Sequence, residues 1–309
     1  MLEKIWIHWK KSSIYWKAII SLGLMFSIVF LLIPVSHWNT KTLEITFLDV
    51  GQGDCIFIKN GNGMKVLMDG GSSDEKKVGI YRIIPFLKSK GIGELDYVIV
   101  THADSDHMNG IVELLEKRKE SGIKINHLVL PKTSLIEDNY EKLVNLAEES
   151  KIPILYIKAG DRFQEGQLRM TCLHPTIDFI PENTNSYSVV LQVEYGTFKA
   201  LFTGDLEENG EEVLLESGNL EDIFLLKVAH HGSKYSTKEE FLNVVKPELA
   251  IISSGEGNSY GHPHKELLER LERVRSKVMN TSEYGGITVE VDEGGKITVN
   301  EKLENFIKR

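Results

Sequence analysis

Beyond residue 42, hydrophobic positions fall in short runs with strand or helix spacing, and glycines separate many of these runs. The first three runs, at 43–50, 55–59 and 65–68, predict strands. A helix is predicted at 78–89 and a buried strand at 97–101, and helix and strand then alternate to about residue 158. Later segments predict strand pairs near 167–173 and 188–204, helices at 207–217, 237–246 and 264–275, strands at 223–229 and 249–253, and a terminal hairpin at 287–291 and 296–300. Alternation mixed with hairpins predicts an α/β fold rather than a purely parallel wound sheet.

The first forty residues follow a different pattern. From Ala18 to Thr40 no Asp, Glu, Lys or Arg occurs, and Trp16 and Trp38 bracket the run, 22 residues apart. A helix of that length rises about 33 Å, close to the ~30 Å hydrocarbon core of a bilayer. Tryptophan at each end suits the membrane interface. The pattern therefore predicts a single transmembrane anchor at 18–38.

Two other interpretations of this segment stay open. A buried core helix is disfavoured because core helices seldom run so long without a charge. A cleaved signal peptide is the stronger alternative, although Pro34-Val35-Ser36 lacks the small-x-small pattern of a cleavage site. Lysines precede the run, so the positive-inside rule predicts that segment 1–17 is cytoplasmic. The domain at 42–300 would then lie outside the cytoplasm, at the cell membrane.

Composition and charge narrow the class of protein. Hydrophobic residues are 41% and charged residues 26% of the 309, which excludes a wholly disordered or fibrous chain. Two cysteines, Cys55 and Cys172, exclude a disulfide framework and a four-cysteine zinc site. The net charge is −9, and residues 1–41 carry five lysines against one glutamate, so the other 268 residues carry −13. This balance disfavours nucleic-acid binding over the whole surface.

The densest group of metal-competent side chains follows the predicted strand at 97–101. It contains His102, Asp104, Asp106 and His107, four such side chains within six positions. A loop between a strand and a helix can direct alternate side chains to one point, and imidazole with carboxylate suits Zn, Mn or Fe. The alternative is a solvated polar loop with an aspartate that caps the next helix.

The other histidines favour the metal interpretation. Six of the ten form three close pairs at predicted strand ends or loops, namely His102 and His107, His230 and His231, and His262 and His264. Asp205, at the end of another predicted strand, offers a carboxylate that could bridge two metal ions. His127 is expected to be structural, and His174 is open to either interpretation.

Two segments of the chain also echo each other. A predicted hairpin at 65–69 ends in Asp69 and is followed by a helix and a strand that ends at His102. A second hairpin at 199–205 ends in Asp205 and is followed by a helix and a strand that ends at His230. Two such halves could face each other across one site, although coincidence between common α/β units explains the echo equally well.

The motifs, taken in order, resemble a known family. Asp69-Gly70-Gly71, the 102–107 cluster, Thr203-Gly204-Asp205 and His230-His231-Gly232-Ser233 resemble the metallo-β-lactamase fold. More narrowly, Val50-Gly51-Gln52-Gly53-Asp54 and Tyr260-Gly261-His262-Pro263-His264 resemble the C-terminal extracellular domain of the ComEC competence proteins. The resemblance covers roughly 43–293. It implies a four-layer αββα sandwich with a metal site at one edge.

The resemblance also implies two divalent metal ions, Zn or Mn. His102 and Asp104 would hold one ion, and Asp205 would bridge to the other. The second ion would be held by Asp106, His107 and either His231, which its place in the motif favours, or His230. Asp69 would orient the 102–107 loop from behind.

The function implied by the resemblance is that of a metal-dependent hydrolase. We expect a phosphodiesterase or nuclease related to DNA uptake, with single-stranded DNA or another phosphodiester as substrate and an uptake channel as partner. Asp106 would serve catalysis as well as metal binding, and His262 or His264 would stabilise the developing charge or protonate the leaving group. Ser233 and Lys234 would contact a phosphate. The alternatives are a phosphorylcholine-type or other small-molecule esterase, and a non-catalytic, metal-stabilised DNA-binding domain.

Two departures from the wider fold affect the first metal position. Asp104 stands where the wider pattern has histidine, and segment 183–186 has no histidine where another is expected. The first position is therefore poor in nitrogen ligands. Oxygen ligands shift the relative preference from Zn toward Mn, and His174 is a possible substitute ligand.

Overall fold

The computed structural model describes residues 42–61, 63–132, 138–207 and 209–302, together with six isolated positions between Trp16 and Met25. Contacts divide the chain into two units, 1–40 and 41–309, and the fold is that of the second unit. The predicted cytoplasmic segment and the predicted anchor lie mostly outside the described residues. Where the chain is described, no helix combines the length and the apolar character needed to cross a bilayer.

Fifteen strands are found among the described residues. They are β1 (Leu43–Phe47), β2 (Ile56–Asn60), β3 (Lys65–Met68), β4 (Glu94–Ile99), β5 (Lys124–Pro131), β6 (Ile154–Ile157), β7 (Arg162–Glu165), β8 (Leu168–His174), β9 (Val190–Tyr195), β10 (Phe198–Phe202), β11 (Leu225–Lys227), β12 (Leu249–Ile252), β13 (Lys277–Asn280), β14 (Gly286–Val291) and β15 (Ile297–Lys302). They form sheet A, in the order β15-β14-β1-β2-β3-β4-β5-β6, and sheet B, in the order β13-β12-β11-β10-β9-β8-β7.

Helices connect the strands within the described ranges. They are α1 (Ile84–Ser89), α2 (Ser105–Glu116), α3 (Arg118–Ser121), α4 (Asp138–Glu149), α5 (Asn209–Glu216), α6 (Glu239–Val245), α7 (Lys265–Arg273) and α8 (Thr281–Tyr284). A π-helical turn, Gly79–Ile83, leads into α1, and single 3-10 turns occur at Asn185–Tyr187 and Ala229–Gly232. The helix predicted at 78–89 is therefore two helical segments of different hydrogen-bond pattern.

The two sheets pack face to face. The largest core cluster contains residues from both, and the rings of Phe47 in sheet A and Phe202 in sheet B stack with centroids 6.0 Å apart. A second cluster joins the outer face of sheet A to α1, α2 and α4, and a third joins the outer face of sheet B to α5, α6 and α7. Helices thus cover both outer faces, and the layers follow the predicted αββα order.

The alternation within single strands explains why both faces of sheet A are buried. In β2, Ile56 and Ile58 enter the core between the sheets, whereas Phe57 enters the outer core beneath the helices. Successive side chains of a strand point to opposite faces, so a fully apolar run is needed where both faces are covered. Burying each of these side chains stabilises the fold by about 1.5–3 kcal/mol.

The strand directions bring the motifs to one edge. β3 and β4 run parallel in sheet A, and β10, β11 and β12 run parallel in sheet B. The carboxyl ends of parallel strands meet at one edge of a sheet, where ligands bind in open α/β folds. The loops that follow β3, β4, β10, β11 and β12 carry the predicted site residues.

Candidate metal centre

The segment from Thr101 to His107 contains the loop after β4 and the first turn of α2, and it is fixed through its backbone. The Asp54 N–H donates to the carbonyl of Asp106 at 3.1 Å, and the Gly70 N–H donates to the carbonyl of His107 at 2.7 Å. A side chain at Gly71 would place its Cβ 2.3–2.4 Å from the backbone of Asp106 and His107. The glycine of the Asp-Gly-Gly motif is therefore required by close approach to this loop.

Both carboxylate oxygens of Asp69, at the end of β3, accept hydrogen bonds from this segment. Its Oδ1 accepts the Thr101 N–H at 2.8 Å, and its Oδ2 accepts the Thr101 hydroxyl at 2.8 Å. Oδ2 also lies 2.9 Å from Nδ1 of His107. Because Nδ1 of His107 faces this carboxylate, Nε2 is left to face the site, and an orienting role for Asp69 stays a prediction.

Loops that follow strands of sheet B supply the candidate residues on the other side of the centre. Asp205 follows β10 and its backbone N–H donates to Ser188 Oγ at 3.2 Å. His231 follows β11, and its Nδ1 lies 2.9 Å from the carbonyl oxygen of Ser253, so that ring also presents Nε2 to the site. The two halves echoed in the sequence therefore face each other across one point.

The atoms that meet there have the character of metal ligands. Nε2 of His102, His107 and His231 are buried and make no hydrogen bond within the described part of the chain. Oδ2 of Asp205 faces Nε2 of His107 and His231, whereas its Oδ1, which has no hydrogen bond among the described residues, lies 3.5 Å from Nζ of Lys227. Buried polar atoms normally have a partner. Three imidazole nitrogens and a carboxylate in overlapping groups fit divalent cations of the Zn or Mn type.

The distances define overlapping groups. Oδ2 of Asp205 lies 3.2 Å from Nε2 of His107 and 3.3 Å from Nε2 of His231, and the latter is 3.4 Å from Oδ2 of Asp106. Four triads have ligand atoms within 4.8 Å of one another: His102, His107 and Asp205; Asp106, His107 and His231; Asp54, Asp205 and His231; and Asp54, Asp69 and His107. His107 and Asp205 are shared, so the groups form one centre.

Asp104 stands apart from these groups. It belongs to none of the four triads among the described residues. Its Oδ2 lies 3.7 Å from Nε2 of His102, and its side chain is 41% exposed. It occupies the N-cap position of α2 but makes no capping hydrogen bond with its side chain. The helix-capping alternative therefore does not explain this residue.

The charges at the centre favour a cation. Burial opposes protonation of His231, but Asp205 and Asp106 outweigh burial and raise its pKa to about 10. Burial is likewise outweighed by Asp205 and Asp69 at His107, whose pKa is raised well above its ordinary value. Burial opposes ionisation of Asp106, yet the contact with His231, whose Nε2 lies 3.4 Å from Oδ2 of Asp106, and the charge of His107 lower its pKa to about 2. The carboxylates thus favour positive charge here, which a divalent ion would supply.

A buried ion pair lies beneath the centre and was not predicted. Lys227 in β11 pairs with Asp54, lies 3.5 Å from Oδ1 of Asp205, and donates to the carbonyl of Gly204 at 2.9 Å. Burial works against the charge of Lys227, but Asp54 and Asp205 raise its pKa. The pair joins the loop before β2 to β11 of sheet B, beside Asp205.

A cavity of about 470 Å³ opens above the centre. His230, His262 and Tyr260 line it together with Asp106, Asp205 and His231. Nδ1 of His262 lies 3.3 Å from the amide nitrogen of Gln52, and the Tyr260 ring stacks on His262 at 5.6 Å. Burial, followed by the charges of His230 and His231, lowers the pKa of His262 to about 4. His262 is thus a neutral hydrogen-bonding group at the cavity wall.

Three predicted substrate residues are not among the described residues that line this cavity. Ser233 is buried, and its Oγ accepts the Tyr235 N–H at 3.2 Å. Nδ1 of His264 accepts the Lys234 N–H at 3.1 Å, and Nζ of Lys234 lies 5.3 Å from the centroid of the Tyr235 ring. These contacts support the loop after His231, and a direct substrate role for Ser233, Lys234 or His264 stays a prediction.

His174 is held away from the ligand groups. Its Nε2 lies 2.9 Å from the carbonyl oxygen of Ser186, and its ring packs edge-on to Phe179. Burial lowers its pKa to about 4. It belongs to no triad among the described residues, so its observed contacts are those of a core histidine.

Sequence reasoning missed three residues near the centre: Asp54, Lys227 and Glu207. Lys227 had a signal, since a lysine inside the apolar run Leu225–Val228 has no solvent-facing position if both faces of the strand are covered. Asp54 stood in a quoted motif without a role. Glu207 had no signal, because its partner His230 lies 23 residues away.

Comparison with protein families agrees with this geometry. The sequence profile of the Metallo-beta-lactamase superfamily matches residues 48–256. The chain is 37% identical to ComE operon protein 3 of Bacillus subtilis over 278 residues, covering 86% of this chain and 35% of that protein. It is 32% identical to Recombination protein 2 of Haemophilus influenzae, covering 84% and 30%. It is 30% identical to Competence protein ComA of Neisseria gonorrhoeae, covering 81% and 33%. The chain therefore spans about a third of the length of these competence-related relatives.

Solved structures share the fold at low identity. The metallo-beta-lactamase fold protein YhfI from Bacillus subtilis matches with a TM-score of 0.53 and 14% identity, covering 84% of this chain and all (100%) of that one. CmlA, a diiron beta-hydroxylase from Streptomyces venezuelae, matches with a TM-score of 0.50 and 12% identity, covering 78% and 52%. At these identities the similarity shows the fold alone.

Proposed function

Since the chain belongs to the metallo-β-lactamase superfamily, whose members are generally metal-dependent hydrolases, we propose that it hydrolyses phosphodiesters at the centre between its sheets. One observation carries the proposal: three buried imidazole nitrogens without hydrogen bonds belong to overlapping ligand groups that share His107 and Asp205, next to an open cavity. The competence-related relatives favour a nucleic-acid phosphodiester, such as single-stranded DNA during uptake.

The proposed ligands divide between two ions. Asp106, His107 and His231 would hold one ion, His102 and Asp104 would hold the other, and Asp205 would be available to both. Divalent ions, Zn or Mn, would polarise a phosphoryl oxygen and lower the pKa of a water molecule near it. Asp69 keeps Nε2 of His107 directed at the centre.

The chain's own residues bind and orient the substrate. Gln52 faces Nδ1 of His262, which leaves Nε2 of that ring for a phosphate oxygen in the cavity. Tyr260 stacks on His262 and is 55% exposed, so a nucleobase can stack on its outer face. Contacts from His262 and Tyr260 do not require a positively charged surface, so they can bind a phosphodiester even though the domain carries a net negative charge.

We further propose that residues 18–38 anchor the chain in the cell membrane with the domain outside the cytoplasm, next to a DNA-uptake channel. Support comes from the uncharged run, its tryptophan ends and the preceding lysines. Protease added to intact protoplasts should digest the domain. Protection until lysis would contradict this orientation, and release of the chain without detergent would contradict the anchor.

The activity is tested with the full-length chain loaded with Zn²⁺ or Mn²⁺. We expect turnover of bis(p-nitrophenyl) phosphate and of labelled single-stranded DNA, and its loss after chelation. The control variant His127→Ala should keep the same turnover, because His127 lies on β5 and stacks on Tyr97, away from the cavity. Turnover of phosphorylcholine esters alone would assign a small-molecule esterase. Bound metal and DNA without turnover would assign a binding domain.

A further inference from the structure

Two exposed tyrosines lie on the loops that follow β11 and β12. Tyr260 belongs to the loop after β12, and its ring stacks on His262 in the cavity wall. Tyr235 belongs to the loop after β11, and 62% of the residue is exposed. A single exposed aromatic ring needs no explanation by itself. The surroundings of Tyr235 therefore decide whether it forms part of a site.

A cation lies against the Tyr235 ring. Nζ of Lys234 lies 5.3 Å from the ring centroid, and within the described ranges it forms no ion pair with a carboxylate. An ammonium group over an aromatic face is a favourable arrangement. The two residues thus present a flat ring and a positive charge side by side. A nucleotide offers the complementary pair, a base with a π-face and a phosphate with a negative charge.

Side chains from other parts of the fold hold the loop that carries this pair. The Arg270 guanidinium, on α7, donates to the carbonyl of Lys234 at 3.1 Å and to that of Ser236 at 2.9 Å. The Tyr235 N–H donates to Ser233 Oγ at 3.2 Å. A surface that is ordered before its ligand arrives loses less conformational entropy on binding. The fold therefore keeps Tyr235 in place while its ring stays exposed.

Contacts also join this loop to the cavity wall. Nδ1 of His264 accepts the Lys234 N–H at 3.1 Å, and the centroid of the His264 ring lies 4.8 Å from that of His262. His262 lines the cavity. Lys234 and Tyr235 therefore lie one imidazole ring beyond the cavity wall, where the chain of a substrate that leaves the cavity can reach them.

We propose that Lys234 and Tyr235 form a second nucleotide subsite outside the cavity, in which a base of a single strand stacks on Tyr235 and a phosphate contacts Lys234. The inference rests on the proposed function, because it names where the strand continues beyond the phosphodiester in the cavity. Stacking on a side chain needs an unpaired base whose faces are free, which bases inside a duplex do not offer. The subsite therefore favours a single strand of several nucleotides over a duplex or a dinucleotide.

Binding is measured with the metal-loaded full-length chain and a fluorescent oligothymidylate whose phosphorothioate linkages resist hydrolysis. Fluorescence anisotropy gives the dissociation constant. A strand of the same length without bases keeps the negative charges and removes the stacking partners. Tyr235→Trp keeps an aromatic ring at the position. Tyr156→Ala is the matched control, because Tyr156 is a similarly exposed tyrosine on β6 that does not line the cavity.

We expect Tyr235→Ala to weaken binding of the oligothymidylate by about 5–150-fold, the effect of losing one stacked base. Binding of the abasic strand should weaken much less, and Tyr235→Trp should bind the oligothymidylate at least as tightly as wild type. Lys234→Gln should reduce the slope of log K against log salt concentration by about 0.7, which corresponds to one phosphate of a single strand. Tyr156→Ala should match wild type.

Equal binding of the oligothymidylate by wild type and Tyr235→Ala would overturn the inference. Equal losses for the oligothymidylate and the abasic strand, or for the oligothymidylate and a duplex, would also overturn it. In hydrolysis, Tyr235→Ala should lose more of its kcat/KM with single-stranded DNA than with bis(p-nitrophenyl) phosphate, which has no base to stack. A wild-type chain that shows the binding that depends on Tyr235 but hydrolyses no phosphodiester would overturn the proposed function and support the subsite.

Discussion

Two aspartates occupy equivalent places in the two sheets and behave differently. Asp69 ends the β2–β3 hairpin and Asp205 ends the β9–β10 hairpin, and each is followed by a helix and a parallel strand. Asp69 receives hydrogen bonds from Thr101 on both oxygens and contacts His107 as well. Asp205 directs Oδ2 at the Nε2 atoms of His107 and His231 and has no hydrogen bond to Oδ1.

The difference shows how one structural unit serves two purposes. A carboxylate whose two oxygens accept hydrogen bonds from one loop fixes the direction of a ligand on that loop, whereas Asp205, whose Oδ2 faces two imidazole nitrogens, is available to a cation. The position of an aspartate at a strand end does not decide between these roles. The donors around it decide, and Thr101 supplies them in sheet A alone.

Removing the carboxylate of Asp205 should have the largest effect on activity. Asp205→Ala should lower kcat at least about 10³-fold, because several kcal/mol of charge stabilisation are lost and ~1.4 kcal/mol is tenfold in rate. Bound metal, counted by elemental analysis, should fall. Asp222→Ala, at an exposed aspartate paired with Lys246, is the control. Full turnover by metal-loaded Asp205→Ala would show that the two aspartates do not differ as proposed.

Breaking the ion pair between Lys227 and Asp54, next to Asp205, should have the next largest effect, on the stability of the fold. Lys227→Met leaves Asp54 buried without its partner and should lower the free energy of unfolding by about 3–5 kcal/mol. Adding Asp54→Asn should recover much of this loss, since the uncompensated charge is removed. Urea titration measures both, with Lys199→Met on the partly exposed face of β10 as control. A Lys227→Met chain as stable as wild type would contradict this role.

Changing Asp69, whose carboxylate accepts hydrogen bonds from Thr101, should have a smaller effect on activity. Asp69→Asn places an amide nitrogen against Thr101 or His107, so the orientation of His107 is loosened. We expect a loss of about 10–100-fold in metal affinity or activity with the fold retained. Metal titration of Asp69→Asn and Asp205→Ala in parallel compares the two roles directly. An Asp69→Asn chain that matches Asp205→Ala in every respect would mean that Asp69 is itself a ligand.

The loop after His231 gives a pH-dependent test. Glu211 accepts the N–H groups of Thr237 and Lys238, and burial outweighs these bonds and raises its pKa to about 7. The folded state holds this proton where the unfolded state has lost it, so the contribution of Glu211 to stability falls as pH rises from about 4.5 to 7.

Between pH 5 and 7 the free energy of unfolding of wild type should fall by about 1–2 kcal/mol more than that of Glu211→Gln. Urea unfolding at both values measures this difference. Glu212→Gln, at the exposed neighbouring position, should follow wild type. If the free energy of unfolding changed equally with pH in wild type and in Glu211→Gln, the raised pKa of Glu211 would be contradicted.

The smallest effect is expected at Asp104. Asp104→His adds a nitrogen beside His102 and should tighten Zn binding while reducing the advantage of added Mn, by less than about tenfold. Competitive titration with the two metals measures the change. If the metal preference of Asp104→His equals that of wild type, Asp104 is not a ligand, and the first ion rests on His102 and Asp205.

The sequence predicted an α/β fold because periodicity is a short-range pattern, and the family resemblance implied its four layers and one site at their edge. Apolar runs marked the strands, and parallel strands bring their carboxyl ends to one edge. The family resemblance read from the motifs is confirmed by the match over 48–256. The strand predicted at 43–50 ends earlier, at Phe47, because the chain turns into the loop of Gly51.

What could not be predicted depends on contacts distant in sequence. The different surroundings of His230 and His231 follow from consecutive left-handed residues and from partners at Glu207 and Ser253. The pairing of Asp54 with Lys227 joins two sheets across 173 positions. Periodicity does not encode such pairs, so their roles emerged only from the fold.

The central claim is that divalent ions bind between the two halves with Asp205 shared. Electron paramagnetic resonance of the Mn²⁺-loaded full-length chain, combined with a count of bound metal, tests it most directly. We predict two ions per chain with a spin-coupled signal in wild type, and an uncoupled signal with fewer ions in Asp205→Ala. A wild-type chain that binds no Mn²⁺ or Zn²⁺, or whose bound ions are uncoupled, would contradict the account.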